Sequence, residues 1–293
     1  MSNGITAQAL FAQLLLGLIN GSFYALLSLG LAVIFGLLNV INFAHGALYM
    51  LGAFIAWGLL HYAGVGYWAA LIISPLLVGV LGIVLERSML QRLYRLDPLY
   101  NLLLTFGLAL IIQGLFRERF GSSGQPYEIP EVLKGVKDVG FMVLPTYRVW
   151  AMVVSLVVCF ATWYITERTR LGSYLRAATE NPGLVQAFGI NVPRMVTVTY
   201  GLGVALAAFA GVLAAPIYRV SPLMGADLII VVFAVVVIGG MGSIMGSIVT
   251  GFALGLIEGL TKVFYPPAAN TVVFALMALV LLIRPAGLFG KAQ

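Results

Sequence analysis

The chain has 293 residues, of which 61% are hydrophobic and only 9% charged. A soluble domain carries roughly 25% charged residues, so a wholly water-solvated surface is excluded and lipid must be the solvent for much of this molecule. The formal net charge of +6 does not indicate a nucleic-acid binder, because the basic residues stand at the ends of apolar runs, where a bilayer protein keeps them.

At roughly 20 residues per spanning helix, the length leaves room for about eight to ten spans. The apolar runs are continuous, as in 153–165 and 228–238, rather than alternating. Helices are therefore expected and a closed barrel is not. Helices are predicted over 9–36, 46–61, 67–86, 99–117, 148–166, 196–216, 227–241, 246–265 and 271–284. The second, seventh and ninth are short and read as half-helices or tilted pieces. The fold class is an all-α polytopic integral membrane protein of about eight to nine transmembrane or half-spanning helices, with 1–293 as one transmembrane domain. Residues 1–8 hold no Lys or Arg, so the charged start of a cleaved signal peptide is missing and the first run is expected to persist as a helix.

Loop charges set the orientation. Nine basic residues, among them Arg87, Arg176 and Arg284, fall on one side and seven, among them Arg117, Lys134 and Lys262, on the other. The first side is expected in the cytoplasm, with the N-terminus outside, the C-terminus inside and an odd number of crossings. Residues 118–147 then form a small external cap.

Four segments are candidates for function. The first is Gly36-Leu-Leu-Asn39-Val-Ile-Asn42-Phe-Ala-His45-Gly46, a polar break between two apolar runs. Unwound backbone inside a membrane must find partners for its freed groups. The break reads either as a polar stretch beside a solute pathway or as a buried helix cap. His45 has no partners for a metal site, since the other histidine is His61. The second candidate is Gly239, Gly240, Gly242, Ser243, Gly246, Ser247 and Gly251. Its spacing lets backbones approach closely, and Gly239, Gly240 and Gly242 would also serve as a hinge or gate. It lacks the GK[ST] ending of a phosphate loop, which occurs nowhere in the chain. The first and second candidates each join an incoming helix to an outgoing one, as a weak internal repeat would.

The third candidate is Glu258 with Lys262, spaced for a helical ion pair. Coupling to protons is the alternative reading. The fourth is the polar segment 167–194. A short helix is predicted near 173–179, and Asn181 would cap a second one with Pro182 in its first turn, ending near Gly189. Leu175, Ala178, Val185 and Phe188 would give apolar contacts, Arg176 and Glu180 polar ones. An ordinary connection is a few residues long, so this ordered segment reads as a docking element. Cys159, the single cysteine, lies in an apolar run and reads as a packed thiol.

These motifs together resemble the permeases of high-affinity branched-chain amino acid ABC importers, the LivH type. The resemblance is carried by 20–26 (NGSFYAL), 36–46, Glu86-Arg87, Thr105-Phe106-Gly107, the stretch from Arg176-Ala177 to Gly189-Ile190-Asn191, 237–243 (VIGGMGS) and 284–290 (RPAGLFG). It implies a second homologous permease subunit, two cytoplasmic ATPase subunits, a periplasmic solute-binding protein and a bacterial inner-membrane location. It also implies alternating access without covalent chemistry or cofactor. By the same resemblance, Arg176, Glu180, Asn181, Pro182 and Gly189 lie at or beside the ATPase contact. Asn20, Asn39, Asn42, His45, Thr105 and Gln113 form a candidate pathway that suits a small zwitterion, and equally an amide or urea. Related permeases also serve aromatic acids. The rival classes are an ion-coupled secondary transporter, disfavoured by the scarcity of buried charge, and a membrane enzyme, disfavoured by the lack of clustered His, Asp or Glu.

Overall fold

The computed structural model of the chain describes residues 7–38, 42–94, 96–138, 140 and 142–290. Its helices are α1 (Ala7–Leu38), α2 (Ala44–Ala63), α3 (Tyr67–Leu85), α4 (Gln91–Leu93), α5 (Pro98–Phe120), α6 (Thr146–Arg168), α7 (Arg170–Glu180), α8 (Pro182–Ala187), α9 (Val192–Ala214), α10 (Met224–Gly239), α11 (Ile244–Phe264) and α12 (Val272–Ile283). A π-helical turn, Glu86–Leu90, joins α3 to α4. Among the described residues seven helices are long and apolar enough to cross a membrane, and α10 and α12 are shorter.

Local signals place the helix ends. Asp97 accepts from the Leu99 N–H at 2.9 Å, with Pro98 opening α5. Asn181, Asn191 and Ser243 cap α8, α9 and α11 in the same way. Each side chain satisfies a backbone donor that the first helical turn leaves without a partner. Gly64 closes α2 in the left-handed conformation, φ 64°, which a residue without a β-carbon adopts freely.

Two boundaries differ from expectation. The second helix is 20 residues long and is not a half-helix. It begins at Ala44 rather than at 46, so His45 belongs to its first turn, where the ring finds a carbonyl partner in Leu27 of α1. The helix expected from 196 begins at Val192, since Asn191 caps it and Pro193 fits the first turn.

The core is built on α1 and α9, whose apolar stretches are 78% and 67% buried, whereas those of α5 and α6 are 11% and 17% buried and face outward. Lipid favours this arrangement, because association there depends on close packing rather than on escape from water. Small residues supply it. Gly17 meets Gly255 and Gly21 meets Gly251, so α1 and α11 run antiparallel with their backbones in contact, and Gly36 meets Gly242 in the turn before α11. Gly46 of α2 meets Gly225 of α10, which brings the starts of these two helices together.

The segment between α5 and α6 packs on one end of the bundle. It carries an antiparallel hairpin, β1 (Val136–Asp138) and β2 (Val143–Pro145), and it is tied to the α9–α10 connection by the Gln125–Val220 bridge. Beneath it the Tyr67 and Tyr147 hydroxyls lie 3.0 Å apart, and Tyr147 donates to the Leu213 carbonyl at 2.9 Å. The α7–α8 pair occupies the opposite end.

Candidate functional site

The polar break between α1 and α2 is a tightly satisfied joint. Asn39 lies outside the described residues. Asn42 is buried; its Oδ1 accepts from the Ala44 N–H at 3.1 Å and its Nδ2 donates to the Tyr200 hydroxyl at 2.9 Å. Thr105 of α5 accepts from the Phe43 N–H at 3.2 Å. His45 is fully buried, and its Nε2 lies 3.0 Å from the Leu27 carbonyl. A carbonyl only accepts, so Nε2 carries the hydrogen and Nδ1 is left as an acceptor; it has no hydrogen-bond partner among the described residues. Asn42, His45 and Thr105 are thus gathered around the first turn of α2.

The remaining pathway candidates lie elsewhere. Gln113 lines a small cavity of about 110 Å³ with Phe43, Gly46 and Phe106. Asn20 lines a larger one of about 560 Å³ between α1, α10 and α11, roofed by Ser122 and Gly124 of the α5–α6 segment. In this second cavity Tyr218 donates to Asn20 at 3.1 Å. Tyr24 donates to Glu258 Oε2 at 2.7 Å and Lys262 donates to Glu258 Oε1 at 2.5 Å. The expected Glu258–Lys262 pair is therefore one edge of a three-residue network that spans two helices. Asp227 and Arg219 complete the charged lining. Sequence reasoning missed Tyr24, Tyr218, Arg219 and Asp227 as site residues. An acidic residue opening an apolar run was the available signal for Asp227, while the others are brought in only by tertiary packing.

At the far end, α7 and α8 form a compact pair around Ala178, Val185 and the first residue of α9, Val192. Asn181 ends α7 and caps α8, where its Oδ1 accepts from Leu184 N–H at 2.9 Å; Pro182 opens α8, and Gly189 turns the chain with φ 82°. Arg176 bends back to donate to the Thr166 carbonyl at 2.7 Å and lies 3.3 Å from the Glu167 carboxylate, which ties α7 to the end of α6. Glu180 is exposed. Phe188 and Leu184 are exposed by 78% and 55%.

The Gly239–Gly242 turn sits against the C-terminal stretch. Gly240 and Gly242 have φ of 101° and 84°, and the Leu288 and Phe289 N–H groups donate to the Ile238 and Gly239 carbonyls at 2.8 and 3.1 Å. Residues 284–290 thereby close the open end of α10. Glu86 in the π-turn, not predicted as a site, is wholly buried. It accepts from Tyr94 at 3.0 Å and from Thr197 of α9 at 2.7 Å. Among the described residues no group of three or more His, Cys, Asp or Glu is placed to hold a metal ion.

The chain matches the family model described as branched-chain amino acid transport system / permease component over residues 13–282. It is 32% identical over 296 residues, 96% of each chain, to the high-affinity branched-chain amino acid transport system permease protein BraD of Pseudomonas aeruginosa. It is 28% identical over 300 residues, again 96% of each, to the permease protein LivH of Escherichia coli K12. A shorter match, 37% over 123 residues, covers 38% of this chain and 33% of the fructose import permease protein FrcC of Rhizobium meliloti. No solved structure matches the chain. The family model spans the long apolar helices, the cavity and the α7–α8 pair alike, and the chain belongs to the permease components of branched-chain amino acid transport systems: it is a multi-pass membrane transport subunit, not an enzyme.

Proposed function

We propose that this chain is one permease of an ATP-driven importer for branched-chain amino acids, seated in the cell (inner) membrane and working by alternating access. A second, homologous permease pairs with it. Two cytoplasmic ATPase subunits dock on the 167–194 segment, and a solute-binding protein delivers the amino acid at the end roofed by 118–147. The observation that carries the reading is the family match over 13–282, which runs through both the cavity and the α7–α8 pair.

ATP binding draws the docking segments of the two permeases together, and hydrolysis releases them. The chain's own contacts suit it to pass that movement on. Arg176 bonds α7 to the last turn of α6, while α8 leads through the Asn191 cap into α9, a central helix. A displacement of α7–α8 is thus delivered to one peripheral and one central helix at once. The exposed Leu184 and Phe188 offer the ATPase apolar anchors, with Glu180, Asn181, Pro182 and Gly189 beside them.

Purification from the native membrane in mild detergent tests this reading. Co-purification of an ATPase and a second permease, with ATP-dependent leucine uptake after reconstitution, is expected. A chain that is stable alone and moves solute on an ion gradient without ATP would overturn it and favour a secondary transporter.

A further inference from the structure

The cavity between α1, α10 and α11 has more charge than its packing requires. Glu258 is already satisfied by Tyr24 and Lys262. Asp227 and Arg219 line the same space, and among the described residues neither belongs to an ion pair. Asp227 lies in the first turn of the apolar helix α10, where the helix dipole favours an anion. Ionisable groups in such a position face a water-filled cavity or pathway rather than lipid.

Arg219 is held from behind. A β-carbon on Gly124 would stand 2.6 Å from the Arg219 Cβ, and the neighbouring Val220 exchanges hydrogen bonds of 2.8 and 2.9 Å with Gln125. The backbone beside this guanidinium is therefore fixed by the roof of the cavity. Two positive groups, Arg219 and Lys262, and two negative ones, Asp227 and Glu258, line this space. Glu258 and Lys262 satisfy each other, which leaves one group of each sign, Asp227 and Arg219, for a solute that carries both. Phe23, Met224 and Leu228 supply an apolar wall to the same space.

We propose that this cavity is the permease's own solute site, in which Asp227 receives the ammonium group of a zwitterionic α-amino acid and Arg219 its carboxylate. The assignment rests on the permease reading above, and the two are tested separately in the reconstituted importer. In Asp227→Asn, ATP-dependent L-leucine uptake falls at least about tenfold, as expected for loss of a charge-assisted contact. Asp227→Glu keeps most of the uptake. Complex assembly and retention of the ATPase subunits in both stay within about twofold of wild type, because Asp227 lies at the end of the bundle away from the docking segment. Wild-type uptake by Asp227→Asn overturns the assignment and leaves the permease reading intact. A wild-type complex that moves no leucine overturns the permease reading and the assignment with it.

If Asp227→Asn fails to assemble, a cysteine answers the same question. Asp227→Cys is made in a Cys159→Ala chain and treated with a membrane-impermeant cationic thiol reagent. Labelling that L-leucine slows supports the assignment. Absence of labelling, or labelling indifferent to leucine, overturns it.

Discussion

Gly17 of α1 and Gly255 of α11 face each other so closely that a β-carbon on Gly17 would stand 2.5 Å from the Gly255 carbonyl oxygen. The same holds one turn further on, where a β-carbon on Gly21 would lie 3.0 Å from the Gly251 carbonyl oxygen. The α1–α11 seam is thus a backbone-to-backbone contact, and its stability depends on the absence of side chains.

Gly17→Ala or Gly255→Ala should therefore destabilise the protein by about 1–3 kcal/mol, the usual cost of forcing a methyl group into a packed contact. Gly107→Ala in α5 is the control, since nothing lies within 4 Å of a β-carbon there. It should not destabilise the protein, and helix propensity would favour it by up to about 1 kcal/mol. Thermal unfolding of the detergent-solubilised protein measures both. Equal effects at the two sites would remove the seam as the explanation.

Glu86 joins the α3 π-turn to α9 through Thr197 and to the next turn through Tyr94. Glu86→Ala leaves the Tyr94 hydroxyl without its acceptor, while Thr197 still donates to the Pro193 carbonyl at 3.1 Å, at a cost of about 1–3 kcal/mol. Glu86→Gln keeps an acceptor oxygen and should lose less. In a double-mutant cycle, Glu86→Ala and Thr197→Val should be strongly non-additive, because each removes the same bond. Additive losses would show that the bond contributes little.

The docking segment makes a prediction that separates folding from coupling. Asn181→Ala removes the α8 cap, which costs about 1 kcal/mol locally, and Asn181→Asp restores it. Phe188 is exposed by 78%, so Phe188→Ala should leave membrane insertion and thermal stability unchanged while lowering ATPase retention on the purified complex at least about fivefold, as for an exposed aromatic anchor of an interface. Full ATPase retention in Phe188→Ala would move the contact elsewhere on the segment.

The roof of the cavity should be sensitive to alkali. Burial pushes the Tyr127 phenol up to about 12, while the unfolded value is about 10. Between these values the unfolded segment binds fewer protons than the folded one, so stability is present below about pH 10 and is lost as pH rises toward 12. Proteolytic cutting within 121–145 should accelerate over that window in wild type and not in Tyr127→Phe. The same pH dependence in Tyr127→Phe would assign the effect to another group.

The membrane class, the all-α architecture and most helix positions were legible in the sequence, because lipid forces every backbone polar group into a local hydrogen bond. Continuous apolar runs of the right length then have one structural meaning. The caps were legible for the same local reason: Asn181 before Pro182 reads as a helix start, and it is one. The 284–290 motif was legible only as a resemblance. Its physical purpose, closing the end of α10 through the Ile238 and Gly239 carbonyls, depends on residues distant in sequence.

What tertiary structure alone decided is which polar residues share a space. Asn42 of the α1–α2 connection, Thr105 of α5 and Tyr200 of α9 meet around the α2 start. Asn20, Tyr24, Tyr218, Asp227 and Glu258 come from α1, α10, α11 and the connection before α10, and they meet in one cavity. The period of a helix tells which residues share its own face, but it carries no information about which neighbour that face meets. That choice was made by the glycine contacts between α1, α2, α10 and α11, where close backbone approach, not hydrophobicity, selects the partner.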